Sequence, residues 1–319
     1  MEHGGNLDGA AARFGGDLAD WLDLSTGINP RPYPIPPLPP RAFTALPTRS
    51  DMAGLEDAAR AAYATDASVV PLAGAQGAIQ LLPRVLPRGR ARVLGPTYGE
   101  HAAACAGAGW RTETVATLDA LDGADLAVVV NPNNPDGRRH APEALIALAE
   151  RVGLLVVDES FADAEPELSV AAQVSDRMVV ERSFGKFYGL AGLRLGMLLA
   201  RPDLARALRD AAGPWPVSGP AIAVGCAALR DEGWQEDTRG WLARSAARLD
   251  ALTLERGWDL VGGTTLFRTY AVGDARAEQA RLARAHIWTR AFDHSPGWLR
   301  LGLPPEDGWT RLEAALVPD

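Results

Sequence analysis

A single lysine occurs in this chain, within Glu181-Arg182-Ser183-Phe184-Gly185-Lys186-Phe187-Tyr188-Gly189-Leu190-Ala191-Gly192-Leu193-Arg194-Leu195-Gly196. A lysine partly shielded among aromatic and glycine residues loses its proton at small cost and can form a Schiff base with an aldehyde. Arg194, a short fixed distance further on, offers a planar fork of donors to a phosphate. The other 31 of the 32 basic residues are arginine, so any side-chain amine chemistry falls to Lys186.

The elements that must position this segment show as continuous apolar runs. Ser68–Leu72, Arg92–Leu94, Leu126–Val130, Gly153–Val157 and Arg177–Val180 read as buried strands separated by helices, the pattern of a mostly parallel sheet covered on both faces. Several of these runs end in residues able to do chemistry: Gly95-Pro96-Thr97-Tyr98, Asn131-Pro132-Asn133-Asn134-Pro135, Asp158-Glu159 and Arg182-Ser183. Ligands of open α/β sheets bind at the carboxyl ends of strands, so one shared site is expected there. A helix is expected to start at about Gln76, after the turn Gly74-Ala75. The proline-dense stretch from Pro30 to Pro47 cannot be helix interior and reads as an extended arm. After Pro214-Trp215-Pro216 the pattern becomes α+β: a long helical region from about 221 to 256, a strand at Thr265–Thr269, a helix around 277–285 and a strand at Trp298–Leu301. The expected division is therefore residues 1–47 as an arm and part of a smaller domain, 48–214 as a large domain, and 215–319 as a C-terminal small domain.

Composition narrows the function. A net charge of −8, a pI near 5.2 and the lack of any basic block argue against nucleic acid as a partner. Cys105 and Cys226 lie in alanine-rich surroundings without metal-ligand spacing, so reduced thiols, a reducing compartment and no metal site are expected. The N-terminus lacks a basic segment followed by an apolar run, and no stretch approaches the ~20 apolar residues that cross a bilayer. A soluble, cytoplasmic protein without membrane partners is expected.

Four pieces in order, Asn131-Pro132-Asn133-Asn134-Pro135-Asp136-Gly137, Val156-Val157-Asp158-Glu159, Ser183-Phe184-Gly185-Lys186 and Gly192-Leu193-Arg194-Leu195-Gly196, resemble the fold-type-I pyridoxal-phosphate enzymes of the class I/II aminotransferase group. The resemblance spans almost the whole chain. It implies pyridoxal 5'-phosphate as cofactor, residues 48–214 as its binding domain, and a homodimer with the proline arm crossing between subunits. It makes Lys186 the covalent anchor and the acid or base at the reacting carbon, and Asp158 the partner of the pyridine nitrogen, kept protonated by charge proximity. Asn134 would bond the cofactor's phenolic oxygen, and Tyr98 would cover its ring. Ser183, Arg194 and the backbone N–H groups of Ala75 and Gln76 would hold its phosphate. Arg300 would fork onto the substrate carboxylate.

Within this group, His3-Gly4-Gly5-Asn6, Leu24-Ser25-Thr26-Gly27-Ile28-Asn29-Pro30, Asp158-Glu159-Ser160-Phe161 and Lys186-Phe187-Tyr188 are similar to the L-threonine-O-3-phosphate decarboxylases of cobalamin biosynthesis, relatives of histidinol-phosphate aminotransferase. That likeness implies an amino-acid phosphate as substrate, with His3, Asn6 and Gly27 at it. An aminotransferase acting on a small amino acid is the alternative, and a non-catalytic protein of the same fold conflicts with the intact Lys186, Asp158, Asn134 and Arg194. Two positions depart from the group: Phe161 stands where many members have a tyrosine donor, and Ala45-Leu46-Pro47 replaces an Arg-Tyr-Pro turn.

Overall fold

The computed structural model describes residues 4–317. The chain forms two compact units. The larger comprises Tyr33–Asn134 and Arg139–Gln235; the smaller comprises the chain up to Pro32, Pro135–Arg138 and the chain from Glu236. Apart from the 135–138 excursion, these compact units meet at 32/33 and 235/236, whereas the strand and helix pattern put the expected domain bounds at 47/48 and 214/215. The reason is packing: the arm residues Arg41–Thr44 and the helix Arg49–Ala62 both lie on the helix Gly219–Arg230.

In the larger unit a seven-stranded sheet runs from edge to edge as Ser68–Leu72, Gly196–Ala200, Met178–Ser183, Leu154–Asp158, Leu126–Val130, Arg90–Leu94 and Arg111–Val115. The last five are parallel to one another, and four of them are the expected apolar runs, whereas Gly196–Ala200 is antiparallel to both of the strands beside it. Every residue of Leu126–Val130, Leu154–Asp158, Met178–Ser183 and Gly196–Ala200 is buried, which requires cover on both faces. Pro71 is tolerated because its strand is at the edge, where a missing N–H costs no ladder bond. The opposite edge strand, Arg-Thr-Glu-Thr-Val, is largely exposed and polar.

The helix Arg49–Ala62 starts at a capping box in which Thr48 and Asp51 satisfy each other's backbone N–H groups. The helical region expected as one piece near 221–256 is two helices, Gly219–Arg230 and Glu232–Glu255. Asp231 breaks it: its Oδ1 accepts the Trp234 N–H, a bond that competes with the helical ladder.

The smaller unit contains an antiparallel sheet ordered Arg290–Phe292, Ser295–Gly302, Phe267–Ala271 and Asp259–Thr264. Leu22–Asp23 pairs in parallel with Ile287–Trp288, which ties the N-terminal segment to the C-terminal third. The excursion Pro135–Arg138 joins this unit through the Thr269 hydroxyl, which donates to the Pro135 carbonyl at 2.5 Å.

Candidate active site

Lys186 lies on a one-turn helix, Phe184–Phe187, that follows directly on the strand Met178–Ser183. Gly189 and Gly192 lie between Lys186 and the strand that begins at Gly196, which stops that helix from extending, and the turn is held by ring packing. Phe184 stacks on Tyr188 at 4.3 Å and Tyr188 stacks on Trp234 at 5.7 Å, with Tyr33 edge-on to Trp234 at 5.2 Å. Tyr33 also donates its backbone N–H to the Tyr188 carbonyl and its hydroxyl to Asp231. The proline arm thus begins by clamping the lysine segment. The Lys186 ammonium lies 5.8 Å from the centroid of the Phe161 ring, a contact a tyrosine at that position would have made polar.

The expected anion cradle is present. Gly74 precedes the helix Ala75–Val85 at φ 76°, ψ 169°, a backbone region nearly restricted to glycine. No side chain among the described residues caps that helix, so the Ala75 and Gln76 N–H groups open its first turn. A Cβ at Gly74 would stand 2.7 Å from Arg194 Nη2, so the guanidinium lies directly against the helix start. Arg194 itself adopts a left-handed conformation, φ 55°, at the end of the turn Ala191–Leu193. Gly196 lets the backbones meet, because a Cβ there would fall 2.2 Å from the Ala75 nitrogen. Ser183, the register partner of Gly196, is buried at the adjoining strand end. A helix N-terminus, a guanidinium and a hydroxyl-bearing strand end are a donor set suited to a phosphate.

Asp158 ends its strand in a closed environment. Its Oδ2 lies 2.8 Å from His101 Nε2, and its Oδ1 accepts the Ser160 N–H at 2.9 Å. Burial alone would raise its pKa, but the hydrogen bond and charge of His101, with Ser160 behind them, hold it below the ordinary aspartate range. Asp158 is thus an anion in a nearly water-free setting, able to hold a cationic ring nitrogen. The adjacent residues have structural work: buried Arg182 pairs with Glu159 at 2.5 Å and with Asp163 at 2.6 Å. That pairing fixes the ends of the Asp158 and Ser183 strands.

Asn134 is half-buried at the end of a loop whose other asparagines anchor it. Asn131 exchanges bonds with the His140 backbone, and Asn133 donates to the Pro96 carbonyl at 2.9 Å and accepts from Thr97. The Asn133 bonds tie the ends of the strands Arg90–Leu94 and Leu126–Val130, where strand order reverses and ligands of such sheets bind. On the loop that carries Pro96 and Thr97, Tyr98 donates to Gln76 Oε1, and Gln76 Nε2 bonds Glu100. Burial, with Glu100 nearby, pushes the Tyr98 hydroxyl up to about 12.

In the smaller unit Arg300 is buried, donates to the Ser25 carbonyl at 2.6 Å, and lies over the rings of Phe267 and Phe292. Burial, then the neighbouring Arg290, lowers its pKa to about 10. Arg290 is its register partner on the adjoining strand and was not singled out from the sequence. Gly27 is buried in the loop that follows Ser25. Asn6 caps the helix Leu7–Phe14 by accepting the Gly9 N–H, which gives its side chain a structural task. His3 lies outside the described residues.

His101, Glu181, Trp234 and Arg290 were not among the residues expected from sequence. His101 has a signal in retrospect: it lies three residues after Tyr98 and shares a buried face with Cys105. Glu181 sits alone among Val179, Val180 and buried Arg182, where sequence gives no reason to pick it out.

With this geometry in place, comparison defines the class. A family model for aminotransferase class I and II matches residues 50–314, and the chain belongs to that family. A threonine-phosphate decarboxylase from Sinorhizobium sp is 47% identical, over 99% of this chain and 97% of its own. A threonine-phosphate decarboxylase from Pseudomonas aeruginosa is 46% identical over the same shares. Among solved structures, histidinol-phosphate aminotransferase from Sinorhizobium meliloti in complex with pyridoxal-5'-phosphate superposes with a TM-score of 0.81. It is 21% identical and the match covers 97% of this chain and 93% of that one, a likeness of fold.

Proposed function

We propose that this protein is a pyridoxal-phosphate-dependent lyase that decarboxylates L-threonine O-3-phosphate to (R)-1-aminopropan-2-ol phosphate and carbon dioxide, in cobalamin biosynthesis. The observation that carries this reading is the near-full-length identity of 46–47% to two threonine-phosphate decarboxylases. The site fits the cofactor on its own chemistry: one lysine, one anionic buried carboxylate, and an uncapped helix N-terminus with a guanidinium against it.

When bound, pyridoxal phosphate supplies the acceptor for the electron pair that departing carbon dioxide leaves on Cα. Lys186 would anchor the cofactor covalently, and its freed amine would deliver a proton to Cα. Asp158 keeps the ring nitrogen protonated, because its own charge is held by His101 and Ser160. Ser183, Arg194 and the N–H groups of Ala75 and Gln76 take the cofactor phosphate, Asn134 its phenolic oxygen, and Tyr98 a ring face. Arg300 takes the substrate carboxylate in a bidentate grip, His3 and Asn6, with Arg290, serve the substrate phosphate, and Gly27 is a further substrate contact. In this reading the enzyme is a cytoplasmic homodimer. Exposed Ile35, Phe43, Leu46 and Trp215, all in the larger unit, support association with a second copy. Free thiols at Cys105 and Cys226 suit a reducing compartment, and no helix among the described residues is long and apolar enough to cross a membrane.

The decisive experiment incubates the holoenzyme with threonine phosphate and measures carbon dioxide release with and without 2-oxoglutarate. A decarboxylase releases it without the keto acid. Stoichiometric accumulation of pyridoxamine phosphate would instead establish the aminotransferase reading, the alternative within the same family.

A further inference from the structure

Behind Asp158 lies a buried carboxylate that the reaction does not use. Asp158 and Glu181 are register partners on adjacent parallel strands, so their side chains leave the same face of the sheet. His101, from the helix Glu100–Gly107, meets both: its Nε2 lies 2.8 Å from Asp158 Oδ2 and 4.0 Å from Glu181 Oε2. The ligating atoms of all three lie within 4.8 Å of one another, and all three side chains are at most 3% exposed. Glu181 Oε2 has no hydrogen-bond partner among the described residues. It borders a small cavity whose lining is apolar at Ile79, Leu82, Leu126, Val128 and Val156, with His101 and Cys105 as the polar groups beside it.

We propose that Glu181 is a positioning residue acting through His101: whether it carries its proton sets the net charge of the buried His101–Asp158 pair, and so how firmly Asp158 holds a protonated ring nitrogen. The inference rests on the reading that Asp158 faces the cofactor nitrogen. A buried carboxylate with one oxygen outside any hydrogen bond favours its neutral form, and burial pushes Glu181 up to about 8, with His101 opposing and Asp158 adding to the rise. Burial opposes the charged form of His101, but the hydrogen bond to Asp158 and the charges of Glu181, Asp158 and Glu100 outweigh it. The titratable groups facing His101 are thus Asp158 and Glu181 from the strands and Glu100 and Tyr98 from its own segment. Cys105 faces Glu181, and burial, then Glu181, drives its thiol up to about 11.

With Glu181 protonated, the carboxylate charge of the cluster rests on Asp158, which His101 and Ser160 hold in its ionised form. In mildly alkaline solution Glu181 releases its proton, the cluster gains a negative charge, and the hold on a cationic ring nitrogen tightens as bulk pH begins to weaken it.

The test is ¹⁵N NMR of imidazole-labelled holoenzyme carrying ring-¹⁵N pyridoxal phosphate, titrated in wild type, Glu181→Gln, Glu181→Leu and Glu181→Asp. His101→Gln assigns the signal. In wild type the His101 and cofactor ring-nitrogen signals both move in a step near the Glu181 pKa. Both neutral variants lose that step, their His101 deprotonation midpoint falls by about one unit or more, and the alkaline limb of kcat moves down in pH. Glu181→Asp retains a step. Glu181→Leu guards against misfolding, since it replaces an unpaired polar group by an apolar one. Superimposable His101 and ring-nitrogen titrations in wild type and the neutral variants overturn the proposal. Failure of the cofactor reading shows separately, as a protein that fixes no pyridoxal phosphate on Lys186 after borohydride.

Discussion

At Lys186 the amine itself is the reagent, whereas at Asp158 what matters is a charge kept out of water, and substitution separates the two. Lys186→Ala is expected to abolish covalent attachment of the cofactor, read by mass after borohydride reduction, together with turnover. Asp158→Asn is expected to keep the attachment and to lose the reaction, because an amide cannot keep the ring nitrogen protonated. A wild-type rate in Lys186→Ala would end the assignment. Arg300 makes a different point. Its guanidinium is held by the Ser25 carbonyl and by two ring faces, so its plane is fixed before any ligand arrives. Arg300→Lys keeps the charge and loses the planar fork, so kcat/KM for threonine phosphate should fall roughly 10²–10³-fold in steady-state assays. An effect under threefold would remove Arg300 from the substrate carboxylate.

Among the elements, the start of the helix Ala75–Val85 is the most constrained. Gly74→Val would place a branched side chain in a backbone region that excludes it and against Arg194. The expected result is a cofactor dissociation constant raised at least tenfold, with the fold retained, as strain of about 1–3 kcal/mol at one residue is tolerable in a domain of this size. Equilibrium dialysis against pyridoxal phosphate measures it. The contrast between what could and could not be read from the sequence also sits at this scale. The central strands were legible because burial on both faces demands unbroken apolar runs, and the residues at their ends followed from that frame. Arg111–Val115 was not, because an edge strand carries polar residues such as Arg111 and Glu113 that look like loop. Gly196–Ala200 was hidden by the glycines that allow its close approach to Ala75. The helix break at Asp231 turns on a side-chain bond to one backbone N–H, a choice that helical periodicity does not record. His101 and Glu181 escaped for another reason: their importance comes from proximity to Asp158 across 57 and 23 residues of chain, and a lone histidine or glutamate in an apolar run is silent about what it faces.

For the whole molecule, association and pH response are the testable properties. Phe43 is 68% exposed and Trp215 53%, a cost in water that a second copy would remove. Light scattering should report a dimer at micromolar concentration, and Phe43→Glu should shift it toward monomer with loss of activity; a fully active wild-type monomer would contradict this. Stability should carry the mark of Glu181. Its carboxyl takes up a proton near 4.5 in the unfolded chain and near 8 in the folded one, so the folded state binds that proton more tightly. The resulting stabilisation is complete below about pH 4.5 and is lost as pH rises to about 8. His101, also raised, acts in the same sense, and Asp158, held low, contributes stability that is lost only as pH falls into the acid range. The urea midpoint of wild type should therefore drop more between about pH 6 and pH 9 than that of Glu181→Leu. Equal drops would show that Glu181 ionises normally.

The single lysine has one more use, for whoever handles the protein. A protease specific for lysyl bonds has one address in the chain, after Lys186, and cutting there leaves two pieces, 1–186 and 187–319. That bond lies in a one-turn helix clamped between Phe184, Tyr188 and Trp234, so cleavage must wait for the clamp to open. A lysine whose amine is covalently occupied is no longer recognised by such a protease. The appearance of two bands on a gel would then time the opening of one segment of the molecule, and their absence would count the copies whose lysine is in use.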